Sequence, residues 1–449
     1  MTPDTAPPAT EWPAPRLAWY TVLVLMCAYV LSYVDRQILS MLVGPIKADL
    51  QLSDFQVSLL HGLAFALCFT VLGIWPVGRW ADTGNRRNVI AGGIALWSIM
   101  TALCGRATSF LGLFLARVGV GVGEATLAPS AYSMLADYFP PSKRGRALGF
   151  FTMGVYIGSG AAIMITGLLL QKIANNPVME LPLLGTVKSW QAAFLLVGPP
   201  GILVAIWALT VSEPRRIGHS PQKTAFSEVL SFVFRSGHAR FYIGITVGVS
   251  LLTMLFNAAA FWTPAHLMRV HKFSPAEVAA TYGPLMMIFG AAGVLSGGAL
   301  ADHWRRIGRK DAELRVAMFS AILLWPVAIW TFRSPSSATM IFLLGPMLFL
   351  SSFPFAATSA ALQLATPNEL RARTSAMYLF VLNLTGIGFG SSAAALVSDY
   401  LLHDEQRIGD GVALVAALAA PLAALSFWWA RGAFNSLQRE SESRPTSQA

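Results

Sequence analysis

Twelve runs of apolar residues divide this chain, each about as long as a bilayer crossing. A helix rises about 1.5 Å per residue and a hydrocarbon core is about 30 Å thick, so roughly 20 apolar residues predict one spanning helix. Such runs lie near 17–43, 55–79, 88–106, 110–137, 146–171, 190–211, 241–268, 276–301, 315–333, 338–365, 374–400 and 411–432, and are called spans 1 to 12 below. The polar stretches between them are short, apart from 212–240. The pattern predicts an all-α polytopic membrane protein with one six-helix bundle over 17–211 and another over 241–432. The linker 212–240 is expected to carry an amphipathic helix, because Phe226, Val229, Leu230 and Val233 recur at helical spacing, facing either the inner leaflet or the bundle. Residues 1–16 are Pro-rich, with neither a basic start nor a small-residue cleavage site. They and the polar tail 433–449 are expected to be disordered.

Composition agrees. Of 449 residues, 55% are hydrophobic and only 12% charged, about half the share in a soluble domain. The net charge of +10 would suggest nucleic acid in a soluble protein; its placement gives another answer. With both termini cytoplasmic, the inside loops hold eighteen Lys and Arg against eight outside, which fixes the orientation by the positive-inside rule and directs the charge toward anionic lipid. Cys27, Cys68 and Cys104 lie within apolar runs, at no metal-like or disulfide-like spacing.

The chain also repeats itself. Gly78-Arg-Trp-Ala-Asp82 with Arg86-Arg87 recurs as Gly298-Ala-Leu-Ala-Asp302 with Arg305-Arg306. Ser53-x-x-Gln56 recurs as Ser274-x-x-Glu277, each a capping box opening a helix. Pro140-x-x-x-Arg144-x-Arg146 recurs as Pro367-x-x-x-Arg371-x-Arg373. Three pairs in the same order predict two pseudo-symmetric halves.

Four charges break the apolar pattern: Asp35 and Arg36 in span 1, Arg117 and Glu124 in span 4. Charges at bilayer depth are costly and mark ion or substrate pathways. Counting residues at 1.5 Å each puts Asp35 about 21 Å into span 1 from the cytoplasmic side and Arg117 about 10 Å into span 4 from the outside, at one level. An ion pair between them is expected. Glu124, seven residues beyond Arg117, falls deeper on nearly the same face, and Arg36 is in reach of it or of a substrate anion. Burial favours the neutral form of a carboxylate and a nearby guanidinium the ionised form. A substrate that draws the arginine away therefore eases protonation, a physical route to proton coupling through Asp35 and Glu124. Glu124 is expected to be the freer carrier, and a fixed network orienting spans 1 and 4 is the alternative.

The stretch Gly78 to Arg87 resembles the loop signature of the major facilitator superfamily, with Thr83 and Asn85 departing from it. Within that superfamily, Tyr33-Val-Asp35-Arg36 and the Arg117 to Ala125 run resemble the Spinster family; organic anion:cation symporters carry related runs. The resemblance implies alternating access, with sphingolipid or lysolipid substrates in animal members. It also implies a cytoplasmic gate of Gly78, Asp82, Arg86, Arg87, Arg144, Asp302 and Arg371, in which Asp82 meets the start of span 11 near Arg371 and Asp302 meets the start of span 5 near Arg144. Such contacts exist only when the cytoplasmic side is shut. The antiporter signature of span 5 is absent, since Ser159 stands where it has proline.

The second half carries no charge in its central stretches and offers Met254, Phe256, Trp262, Met287 and Tyr378, with Asn257, Asn383 and Thr385 as isolated polar groups. This suits an amphiphile, its polar head toward Arg36 and Arg117. The expected activity is proton-coupled secondary transport of a lipid-like molecule; organic-anion symport or drug export is the alternative. Neither a P-loop nor a hydrolase or zinc-protease motif is present, which argues against a primary pump or an enzyme. His61, His266 and His271 have no metal-ligand spacing, and His61, near the outer start of span 2, is expected at the membrane interface, with proton binding as the alternative. No cofactor, metal or nucleic acid is expected; the partners are protons, an amphipathic substrate and membrane lipids. The expected protein is a monomer in a bacterial inner membrane.

Overall fold

The computed structural model describes residues 12–66, 84–173, 178–181, 185–216, 226–235 and 237–443. Within them lie eleven helices long and apolar enough to cross a membrane. Span 2 is described only as far as residue 66, with helix over Asp54–His61; its remainder falls outside the described residues.

Span 1 is one helix, Pro15–Leu50, and spans 7, 8 and 9 are Ala239–Arg269, Pro275–Arg306 and Ala312–Arg333. Spans 3 and 5 are Arg86–Cys104 and Pro141–Ile173. The two expected capping boxes form: Ser53 with Gln56 starts span 2, and Ser274 with Glu277 starts span 8. Each ties the first backbone N–H groups to a side chain.

Other spans are interrupted. Span 4 breaks between Phe110–Glu124 and Leu127–Tyr138, span 6 between Ser189–Val197 and Pro200–Ala208, and span 10 between Ser337–Ser352 and Pro354–Ala365. Prolines follow the breaks in spans 6 and 10, as their missing N–H requires. Span 11 runs from Asn368 to Leu401 with π-helical turns at Asn383–Ile387 and Val397–Leu401. Two short antiparallel strands, Val178–Leu181 and Gly185–Lys188, link spans 5 and 6.

The tail differs from expectation. Span 12 continues as helix from Ile408 to Ser443, well past residue 432. Phe434 is fully buried and stacks on Phe241 at 5.1 Å, and Leu437 is buried too, so this last stretch has an apolar face to anchor. The linker helix forms over Phe226–Val233 and packs against the bundle: Val229 and Val233 belong to the core.

The halves meet along three pairs of spans near one end of the molecule, the end carrying Lys47 and Asp54. Span 1 touches span 7 where Gln37 Nε2 donates to the Ala260 carbonyl at 3.3 Å. Span 2 meets span 11 where Ser58 Oγ donates to Ser392 Oγ at 3.1 Å. A Cβ on Gly62 would lie 2.6 Å from the Gly388 carbonyl oxygen, so those helices approach backbone to backbone. Spans 5 and 8 pack as closely through Gly160 and Gly283.

Candidate functional site

The four charged residues come together inside the first half. Arg36 Nη2 donates to Glu124 Oε2 at 2.6 Å, with both side chains almost fully buried. The Arg36 guanidinium also lies over the rings of Phe65 and Tyr33, 3.8 and 4.6 Å from their centroids. Cation–π contact of this kind holds a desolvated guanidinium that hydrogen bonds leave partly unsatisfied. Glu124 ends its helix just before the break in span 4. Beside it, a Cβ on Gly123 would stand 2.7 Å from the Gly93 carbonyl oxygen and the Trp97 nitrogen. Glycine there lets spans 3 and 4 touch, and that contact sets where Glu124 sits.

Asp35 and Arg117 pair more loosely. Arg117 Nη1 is 3.5 Å from Asp35 Oδ2, and its longer bonds go to backbone, to the Asp35 carbonyl at 3.4 Å and the Leu60 carbonyl at 3.5 Å. Arg117 is wholly buried and links spans 1, 2 and 4. Both carboxylate oxygens of Asp35 lack a hydrogen-bond partner. The expected order of the two carboxylates is therefore reversed: Glu124 is held firmly and Asp35 is the less satisfied. Arg36 closes directly on Glu124, whereas Arg117 makes only long contacts to two carbonyls and leaves its Nη2 without a partner.

His61 is not interfacial. It is buried and stacks on Phe261 of span 7, with ring centroids 4.3 Å apart. Nearby, at the Lys47 end, the structure assembles an ion cluster that the sequence reading missed. Asp54, whose side chain is fully buried, accepts from Lys47 Nζ at 2.6 Å and from Arg269 Nη1 and Nη2 at 2.5 and 2.9 Å. Lys47 also pairs with Glu405 at 2.7 Å, and Asp399 Oδ2 accepts the Phe55 N–H at 2.8 Å. Arg269, Glu405 and Asp399 belong to the second half of the chain, so the cluster joins the halves. The capping box at Ser53 was the one legible signal, since it places Asp54 in the first turn of span 2.

The expected gate residues are not joined across the halves among the described residues. Gly78 and Asp82 lie outside the described residues, and Arg371 sits in the first turn of span 11. Arg86 is fully buried and binds Asp137 at 2.5 Å and Glu213 at 2.6 Å, tying the ends of spans 3, 4 and 6 together. The Arg87 N–H donates to Glu213 as well. Arg144 donates to the Ala136 carbonyl at 2.8 Å, and Asp302 is exposed. In the second half, Asp311 holds Arg315 and Arg431, and Arg305 pairs with Glu313. No group of three or more metal-ligating side chains occurs among the described residues.

Comparison with known proteins follows the same lines. Residues 25–395 match the family model described as Major Facilitator Superfamily. An MFS-type efflux pump of Mycolicibacterium smegmatis is 30% identical, over 93% of each chain. A probable L-galactonate transporter of Escherichia coli K12 is 24% identical over 81% of this chain and 80% of that one. Among solved structures, a bacterial homolog of the human lysosomal transporter Spinster, in an inward-facing and unoccupied conformation, is 25% identical. It matches with a TM-score of 0.70 over 97% of this chain and 100% of that chain.

Proposed function

The chain belongs to the major facilitator superfamily of membrane transporters, which are not enzymes, and we propose that it couples proton movement to transport of an amphipathic molecule by alternating access. The observation that carries this reading is the uneven pairing of the buried quartet. Arg36 and Glu124 neutralise each other, while Asp35 keeps two unbonded oxygens beside a guanidinium 3.5 Å away. An anionic group that draws Arg117 or Arg36 toward the interface between the halves leaves a carboxylate without its counter-charge, and protonation then restores neutrality. Release of that group returns the arginine and expels the proton. Glu124 exchanges by the same logic once Arg36 leaves it.

The polar end of the substrate is assigned to the arginines and its apolar body to the uncharged second half, around Met254, Phe256 and Met287. The lysolipid and sphingolipid substrates implied by the Spinster resemblance, together with the similarity to a Spinster homolog, favour an amphiphile of lysolipid or sphingoid type. The similarity to an L-galactonate transporter favours a second reading, symport of a small organic anion on the same arginines. The Lys47 end is assigned to the outside of a bacterial inner membrane by the charge of the loops, with both termini cytoplasmic and the protein acting as a monomer. The bundle is then shut outside, facing inward.

The test is flux into proteoliposomes under an imposed pH gradient, with a labelled lysophospholipid, a sphingoid base and a hexuronate offered separately. A lipid-like cargo driven by the gradient is expected, with Asp35→Asn and Glu124→Gln each losing the pH dependence. Unchanged pH dependence in both variants overturns the coupling, and flux of hexuronate alone overturns the amphiphile.

A further inference from the structure

Behind Asp35, away from the interface between the halves, lies a small void. It gives the centre of a water molecule about 10 Å³ to occupy and is lined by Asp35 of span 1, Ser98 and Thr101 of span 3, and Gly198 and Gly201 of span 6. That is room for about one water. All of these residues belong to the first half, on spans 1, 3 and 6. Its lining is polar where it needs to be. Neither Asp35 oxygen nor Thr101 Oγ1 makes a hydrogen bond of good geometry although each residue is at most 2% exposed, and the Thr101 hydroxyl lies toward Asp35. Ser98 Oγ donates to the Ile94 carbonyl at 2.7 Å and keeps its lone pairs. Buried polar atoms left bare in this way are the usual mark of a bound water, which needs two to four polar partners.

A cation fits less well. Arg117 already stands 3.5 Å from Asp35 and Arg36 is balanced by Glu124, so the quartet is neutral, and an added ion would leave a net positive charge in a dry site. We infer that this void is a proton-loading site: one water, held by Thr101 and Ser98, delivers the proton to Asp35 from within spans 1, 3 and 6. The proton then travels separately from the substrate, which approaches from the other side of span 1. The transfer is a simple exchange, in which a hydronium entering the void from bulk water gives its proton to an Asp35 oxygen and remains behind as the water. The other titratable groups facing Asp35 are Arg117 and Glu124 of span 4, Arg36 of span 1 and Cys104 of span 3, while His61 of span 2 faces Arg117 and Arg36. Span 6 contributes none to the lining.

The inference rests on the proton-coupling reading above, and the two fail differently. Infrared titration of the carboxyl band on the purified full chain, without substrate, is the measurement. In the wild type a band that vanishes in Asp35→Asn is expected. Thr101→Val keeps the side chain's shape but removes the hydroxyl that steadies the water against the ionised carboxylate. Its titration midpoint should move upward by about one pH unit, Ser98→Ala should move it the same way, and Thr101→Ser should restore it. If the wild type has no band assignable to Asp35, proton coupling through this residue falls and the loading site with it. If the band is present but Thr101→Val and Ser98→Ala leave its midpoint in place, only the loading site is overturned. Should Thr101→Val fail to fold, Ser98→Ala alone decides.

Discussion

At the scale of single residues, the cost of burying charge explains why the quartet is paired as it is. Removing one partner of a buried ion pair leaves an uncompensated charge and costs about 3–5 kcal/mol, whereas replacing both with apolar groups of similar size is often close to neutral. Arg36→Met alone should therefore lower unfolding stability by roughly that amount, measured in detergent by thermal or denaturant unfolding, and Arg36→Met with Glu124→Leu should recover most of it. If the single variant is as stable as the wild type, the Arg36–Glu124 bond is not holding spans 1 and 4 together. All four residues were legible from the sequence because charge inside an apolar run stands out against its neighbours. Which arginine held which carboxylate was only partly legible. Helical periodicity gives the face and the depth of each side chain, but not how far a guanidinium extends or which carbonyls compete for it. The Asp54 cluster was missed for a different reason. Its members sit at the ends of spans, where charges meet water in any membrane protein, and Arg269 is 215 residues from Asp54.

Among the elements, the apolar runs and capping boxes carried most of the fold, while the interruptions within spans did not show equally. The break in span 6 was readable at Pro199 and Pro200, since proline cannot supply the helical N–H. The break after Glu124 is marked in the same way by Pro129, which removes the N–H that would bond the Ala125 carbonyl, while Gly93 and Gly123 bring two backbones into contact beside it. The π-turns of span 11 were silent; turns of this kind are frequent at functional sites. Charge at the ends of the second half's helices does leave a measurable signature. Asp311 lies in the loop before span 9; burial alone would raise its carboxyl, but hydrogen bonds from Arg315 and Arg431 hold it below the ordinary value of 3.8. Its contribution to stability is complete above that value and is lost as pH falls below it, through the lower folded-state pKa. Asp311→Asn should therefore be less stable than the wild type near neutrality, and the difference should shrink in acid below about pH 4. A gap that stays constant down to strongly acid pH would mean that the ion pairs add nothing to folding.

For the whole molecule, the question is which end holds the halves together. Among the described residues, the ion pairs that cross between them lie near the Lys47 end, through Asp54, Arg269, Lys47 and Glu405, with Asp399 bonded to the Phe55 N–H beside them, whereas Arg86, Arg305 and Asp311 at the opposite end bind within their own half. Asp54 is fully buried in this state. Opening the Lys47 end would return it to water, so removing its charge should destabilise the closed arrangement and leave the open one nearly untouched. A ligand or mutation shifts a two-state equilibrium only by such a difference. Losing a buried, bidentate partner should move the population by at least about tenfold toward opening at the Lys47 end, even with Glu405 still available to Lys47. Asp82→Asn, in the repeated loop motif, should move it the other way, because that residue is expected to latch the opposite end. Distances between spin labels on the two halves, measured at both ends, distinguish the cases. Asp54→Asn should lengthen those at the Lys47 end and shorten those at the other. If Asp54→Asn leaves both sets unchanged, the ion cluster fastens nothing and the packing of spans 2 and 11 through Gly62 and Gly388 is what keeps that end shut.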